Sequence, residues 1–211
     1  MQRSLAGHGS SAIWALLWLV LFVLLSISVM TGKAAPFDAL LREQLHQFAT
    51  PGLTAAFGAI THLGSVLVVS VMTTASVAAF WLAGRHGAAR LLGWTMAGSA
   101  LLDNSLKFSF QRARPEPFFG LDMPGSFSFP SGHALFSTCL FGALAFVVAS
   151  LIRSWPMRLA IWACAAGLII AIGLSRIYLG VHYSSDVAGG WLAGFFCLAC
   201  AFKSCTKLNR L

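Results

Sequence analysis

Six runs of apolar residues, at 11–30, 63–83, 89–107, 134–151, 159–175 and 186–202, recur along a chain of 211 residues. Each approaches the roughly 20 residues that an α-helix needs to cross a hydrocarbon core about 30 Å thick. Inside such a core every backbone N–H and C=O must be satisfied within its own segment, so runs of this length are expected to be helical. Charged residues make up only 9% of the chain and hydrophobic ones 58%. Soluble domains carry about 25% charged residues, so a water-soluble monomer is excluded. The expectation is all-α: an integral membrane bundle of six transmembrane helices, forming one membrane domain over residues 1–211. The apolar core of the first run, Ala12 to Val29, is longer than the 7–15 residues of a signal peptide and reads as a retained span. The five cysteines, Cys139, Cys164, Cys197, Cys200 and Cys205, lie in apolar runs or the tail and form no disulfide framework. The lone CxxC at Cys197 and Cys200 has no second pair beside it and reads as two small apolar residues on one helix face.

The formal net charge is +8, and the six-span plan distributes it unevenly. The side holding both termini carries Arg3, Arg85, Arg90, Arg153, Arg158, Lys203, Lys207 and Arg210 and no acid. The opposite side carries Lys33, Arg42, Lys107, Arg112, Arg114 and Arg176, together with all six acids, Asp38, Glu43, Asp103, Glu116, Asp122 and Asp186. The positive-inside rule makes the first side cytoplasmic. The surplus charge then serves topology and anionic headgroups, and no nucleic-acid partner is expected. The expected location is the cell inner (plasma) membrane, with cytoplasmic termini.

Between the first two spans, Phe37, Leu40, Leu41, Leu45 and Phe48 recur at helical spacing, with Asp38, Arg42, Glu43 and Gln47 largely off that face. Pro36 suits a first helical position and Pro51-Gly52 a stop. This predicts a short interfacial helix that could guide a lipid tail.

Three further segments concentrate unusual residues at the outer ends of spans three to six. Lys107 and Arg114 bracket a turn closed by Pro115, and Pro130-Ser131-Gly132-His133 leads into the fourth span. Ser175-Arg176 is followed by His182 and Asp186. Ionisable groups near a membrane interior are costly and usually functional. Lys107, Arg114 and Arg176 together can surround an anion's oxygens. Ser131 and Gly132 open a helix whose free N–H groups and dipole favour phosphate, and Gly132 permits close backbone approach. Arg112 and Lys33 are expected to be snorkelling interface residues.

His182 lies four residues before Asp186, a spacing that places both on one face of a starting helix. Asp186 can then accept from Nδ1–H of His182 and leave Nε2 free as a nucleophile, while His133 delivers a proton to the leaving oxygen. His8, His46 and His86 are assigned no role, and His62 sits at an outer boundary. His133, His182 and Asp186 are enough ligands for a metal ion in number, but three cations at the same place would repel one, so neither metal nor cofactor is expected.

These three motifs resemble those of the type-2 phosphatidic acid phosphatase and vanadium haloperoxidase superfamily. The resemblance covers residues 107–186, in motif order, and the haloperoxidase branch is similar only in its anion pocket. It implies that Lys107, Arg114, Ser131, Gly132 and Arg176 bind phosphate, that His133 is the general acid, that His182 attacks phosphorus and that Asp186 orients it, without a metal. The expected activity is a lipid phosphate phosphatase acting through a phosphohistidine. Undecaprenyl pyrophosphate is the first-choice substrate. Phosphatidylglycerol phosphate, phosphatidic acid, diacylglycerol pyrophosphate and lipid A phosphates remain open. A lipid phosphotransferase would use the same motifs, and a non-catalytic lipid-phosphate binding or transport protein would need only the pocket. Oligomeric state is not legible.

Overall fold

A computed structural model describes residues 5–122 and 124–207, with side chains over 12–122 and 124–203. Arg3 and Arg210 lie outside the described residues, as do the side chains of His8, Cys205 and Lys207. Among the described residues there are eight helices and no strand. They are α1 Leu5–Met30, α2 Ala35–Gln47, α3 Pro51–His62, α4 Val66–Leu82, α5 His86–Phe110, α6 Gly132–Leu151, α7 Trp155–Tyr178 and α8 Ser184–Lys207.

Each apolar run falls within helix, except that the second begins ahead of α4 at Leu63 and runs one residue past it to Ala83. Four helices are individually long and apolar enough to cross a membrane: α1, α6, α7 and α8. The α3–α4 pair is bent by 47° and adds a fifth crossing if it acts as one broken span. The expected count of six is therefore not reached by length and composition. The shortfall lies in α5, whose 25 residues include Arg90, Asp103, Asn104 and Lys107. Its buried stripe, Ala88, Leu91, Leu92, Thr95, Met96, Ser99 and Asp103, mixes polar with apolar residues. Trp94, Leu101 and Phe108 point outward and are exposed. Thr95, Ser99 and Asp103 lower the hydropathy of this helix from its inward face, and Arg90 and Asn104 from its exposed one.

Two local features go beyond the expectation. The interfacial helix α2 ends at Gln47, ahead of Pro51-Gly52, but Pro51-Gly52 also opens a further helix, α3, where Pro51 takes the first turn and Thr50 caps the helix by accepting from the Leu53 N–H at 3.2 Å. And on α2 Asp38 lies off the apolar face, as its spacing implies, and faces the protein. Asp38 is 1% exposed, whereas Phe37, Leu40 and Phe48 are exposed. The outward apolar residues suit a membrane interface, while the acid is held by hydrogen bonds that a helical-face pattern cannot reveal.

The core is built on α6, which packs against α5, α7 and α8, while α1 covers α8 and α3 lies on α7. Leu135, Cys139, Leu140 and Ala143 of α6 meet Leu92 of α5 and Phe129 of the preceding loop. α8 approaches α6 very closely at Gly190. A Cβ there would lie 2.5 Å from the Ser131 carbonyl oxygen and 2.8 Å from Ala134 Cβ. Backbone cannot yield as a flexible side chain can, so only glycine fits. The contact brings the Asp186 carbonyl 2.9 Å from the Ser131 N–H, which ties the start of α8 to the start of α6. The end of α5, the start of α6, the end of α7 and the start of α8 thus converge, with α2 and α3 beside them.

Candidate active site

The loop between α7 and α8 delivers His182 into this convergence, where it is 1% exposed. Its Nε2 is 2.9 Å from Arg114 Nη1. A guanidinium has donors only, so Nε2 must be the acceptor and the ring proton must sit on Nδ1. Nδ1 lies 3.4 Å from Asp186 Oδ2 and 3.4 Å from Ser128 Oγ. The i, i+4 pairing expected from the sequence is present, at the long limit of a hydrogen bond. Asp186 Oδ2 also accepts from Ser128 Oγ at 2.5 Å and from the Tyr183 N–H at 2.9 Å. Burial pushes the His182 imidazole down to about 4, against the pull of Asp186 and with help from Arg114 and Arg176. The neutral ring therefore predominates above about pH 4, and protonation sets in only as pH falls through that value. Histidine ring NMR in detergent, assigned by difference from His182→Ala, should show this midpoint; titration at 6.5 or above would contradict the burial argument.

The other motif residues gather around this ring. Arg114 also donates to the carbonyls of Ser126, at 2.6 Å, and Val181, at 2.8 Å, so its plane is fixed by backbone. Arg176, 8% exposed, donates to Thr61 Oγ1 of α3 at 2.7 Å. His133, in the first turn of α6, lies within electrostatic reach of Arg176, His182, Lys107 and Arg114. The α3–α4 bend makes room for it, since a Cβ on Gly64 would come within 3.1 Å of the imidazole Cδ2. Lys107 Nζ pairs with Asp103 Oδ2 at 2.8 Å. A Cβ on Gly132 would lie 3.2 Å from both that ammonium and Asp103 Oδ1, so the lysine rests directly on the start of α6.

Charge is not balanced evenly across the site. Lys107 has Asp103, and Arg112 bridges Asp38 and Asp186. Arg114 and Arg176 have no carboxylate within salt-bridge distance among the described residues. Burial lowers the Arg114 guanidinium, outweighing the attraction of Asp186 and Asp103. Burial works against Arg112 too, but there Asp186 and Asp38 prevail and raise it. Buried cations need a counter-charge, and buried donors need a partner. Ser131 Oγ and Arg176 Nε are both buried with no hydrogen-bond partner among the described residues. Beside Arg176 a cavity of about 320 Å³ opens, lined by Thr54, Thr61, His62, Phe119, Asp122 and Val181 among others. Among the described residues no three His, Cys, Asp or Glu side chains gather in a group that could hold a metal ion.

All the site residues expected from sequence are brought to this one place, and one reading is reversed. Arg112 does not snorkel. Its guanidinium covers the Tyr183 ring at 4.3 Å and reaches Asp186, Asp38 and Ser185. Sequence reasoning missed Asp38, Asp103, Arg112, Thr61 and Ser128. The Arg112-Ala113-Arg114 alternation in an irregular segment was a usable signal for Arg112, because i and i+2 of an extended chain face the same way. Ser128 and Thr61 carry no such signal.

Arginine, lysine and a helix N-terminus around a neutral imidazole, set at the end of an apolar helix bundle, have the chemistry to hold a multiply charged anion. The model of the PAP2 superfamily matches residues 88–210. The chain belongs to the PAP2 superfamily and is an integral membrane lipid phosphatase. It is 30% identical to phosphatidylglycerophosphatase B of Bacillus subtilis (strain 168), over 82% of this chain and 85% of that protein. It is 36% identical to lipid A 1-phosphatase of Rhizobium johnstonii, over 57% of this chain and 50% of that protein. Among solved structures it resembles the transmembrane PAP2-type phosphatidylglycerolphosphate phosphatase from Bacillus subtilis. That likeness has a TM-score of 0.80 at 25% identity and covers 94% of this chain and 98% of that one. The Aquifex aeolicus LpxE structure aligns with a TM-score of 0.60 at 26% identity, over 78% of this chain and 94% of that one.

Proposed function

We propose that the protein hydrolyses a lipid phosphomonoester in two metal-free steps, with His182 as nucleophile. The observation that carries this reading is a pair of guanidinium groups without acid partners among the described residues, the buried Arg176 and the half-buried Arg114, the latter bonded to Nε2 of His182. A phosphoryl group placed there supplies the missing negative charge and oxygens for Ser131 Oγ, Arg176 Nε and the N–H groups opening α6. Lys107 and Gly132 complete the cup. Nε2 attacks phosphorus in line. The N–P bond forms as the P–O bond breaks, and His133 gives its proton to the departing oxygen. Asp186 holds the Nδ1–H tautomer and stabilises the ring as it gains positive charge. Water then attacks the phosphohistidine, its proton passes to His133, and the N–P bond breaks to release phosphate. Positioning and fixed charge supply most of the acceleration.

Residues 1–211 act as one membrane domain in this reading, with α5 as the sixth crossing. Its 25 residues reach roughly 37 Å at 1.5 Å per residue, and its polar stripe is buried against α6 rather than lipid. Arg85, Arg90, Arg153 and Arg158 lie near the helix ends opposite the site, which supports an extracytoplasmic active site in the inner membrane.

Phosphatidylglycerol phosphate is favoured as substrate. The similarity to the phosphatidylglycerophosphatase extends over most of both chains, and the cavity beside Arg176 offers hydroxyls and an acid to a glycerol headgroup. Undecaprenyl pyrophosphate is the second reading, supported by 37% identity to undecaprenyl-diphosphatase of Sulfolobus acidocaldarius over 34% of this chain and 30% of that protein. Its second phosphate would call for cations, and the cavity adds only His62 to Arg176. Phosphate release from purified protein in detergent, over a panel of both lipids, phosphatidic acid and lipid A, should be fastest with phosphatidylglycerol phosphate. A preference for the diphosphate would select the second reading. Substrate consumed without phosphate release, its phosphoryl group appearing on an added acceptor lipid, would mean a phosphotransferase. No release above the His182→Ala background would reject catalysis altogether.

A further inference from the structure

The interfacial helix α2 lies outside the residues matched by the family model, yet it sends one side chain into the site. Asp38 is 1% exposed and its oxygens accept four hydrogen bonds. Oδ1 takes Ser184 Oγ at 2.7 Å and the Ser185 N–H at 2.8 Å. Oδ2 takes Ser185 Oγ at 2.6 Å and Arg112 Nη2 at 2.8 Å. The first oxygen serves the opening turn of α8, where an anion is favoured. The second holds one arm of Arg112. The other arm, Nη1, reaches Asp186 Oδ1 at 2.5 Å. One guanidinium is thus stretched between two carboxylates, taking one oxygen from each.

That division matters because Asp186 has two oxygens and two tasks. Arg112 occupies Oδ1, which leaves Oδ2 to Ser128, the Tyr183 N–H and Nδ1 of His182. An arginine released from Asp38 would be free to close on Asp186 in the bidentate geometry that guanidinium and carboxylate prefer, drawing Oδ2 away from the imidazole. We infer that Asp38 is a positioning residue for the reaction: by holding Arg112 it keeps Asp186 bound through one oxygen and turned toward His182. This rests on the proposed roles of His182 and Asp186.

Asp38→Asn separates this role from plain helix capping. Asparagine is as good a cap as aspartate, so its carbonyl oxygen can keep Ser184 and the Ser185 N–H, but its NH₂ cannot accept from Arg112. The expected result is a kcat lowered about 10- to 100-fold, with lipid KM and the inhibition constant of inorganic phosphate within about threefold of wild type. Arg112→Lys, which keeps the charge but loses the fork, should show the same split. In an Asp186→Asn background, Asp38→Asn should add no further loss, because both act through one contact. An unchanged kcat overturns the inference. So does a loss of phosphate binding parallel to the loss of kcat, which would mean a structural cap alone, and so does a loss that multiplies through in the double variant. If Asp186→Asn and His182→Ala are inactive while Asp38→Asn is normal, only this inference fails. If those two retain activity, the reading beneath it fails.

Discussion

Replacing His182 with alanine is expected to lower phosphate release by about 10⁴- to 10⁶-fold, the scale of loss when a nucleophile or its base is removed from a catalytic unit. The protein should remain folded. His182 contributes one ring to a site otherwise tied by backbone: Arg114 keeps the Ser126 and Val181 carbonyls, and Asp186 keeps Ser128, the Tyr183 N–H and Arg112. The anion cup is therefore retained, and inorganic phosphate should still inhibit whatever residual turnover exists or protect the protein against thermal denaturation. Activity within tenfold of wild type in the purified variant would remove His182 from the mechanism.

Asp186→Asn is expected to cost about 10³- to 10⁴-fold in kcat, although it changes only one oxygen for an NH₂. Arg112 requires an acceptor, so the amide oxygen is drawn to Arg112 Nη1 and the NH₂ is left toward His182. An N–H facing Nδ1 forces the imidazole proton onto Nε2. There it meets Arg114 Nη1, now donor against donor at 2.9 Å, and the lone pair needed for attack is gone. A wrong tautomer of this kind is known to be worth about 10⁴-fold in a triad of similar logic. Steady-state kinetics with phosphate inhibition as the folding control checks this. A variant that loses phosphate binding as strongly as kcat, or one within tenfold of wild type, would show that Asp186 does not govern the tautomer.

What could be read in the sequence divides along physical lines. Apolar period and length located the helices, because backbone satisfaction in a membrane leaves few alternatives. Residue chemistry singled out Lys107, Arg114, Ser131, Gly132, His133, Arg176, His182 and Asp186, which the fold gathers because each lies within four residues of a helix terminus. The α3 helix escaped because Pro51-Gly52 reads equally as a stop and as a first turn. Hydropathy undervalues α5, where Thr95, Ser99 and Asp103 are buried against protein. Asp38 and Arg112 were misjudged for a different reason. Each looked like an interface residue beside its own neighbours, and their true partners lie across the fold: Arg112 meets Asp38 and Asp186, each 74 residues away in sequence. No local pattern encodes a contact of that kind, and only the folded chain reveals that the interfacial helix belongs to the site.

The covalent step is the claim on which the rest depends. Purified enzyme mixed with a ³²P-labelled lipid phosphate and quenched within milliseconds should carry label that survives base, is lost in acid and maps by peptide sequencing to His182. Label at another residue, or turnover with no labelled protein at any quench time, would contradict the account.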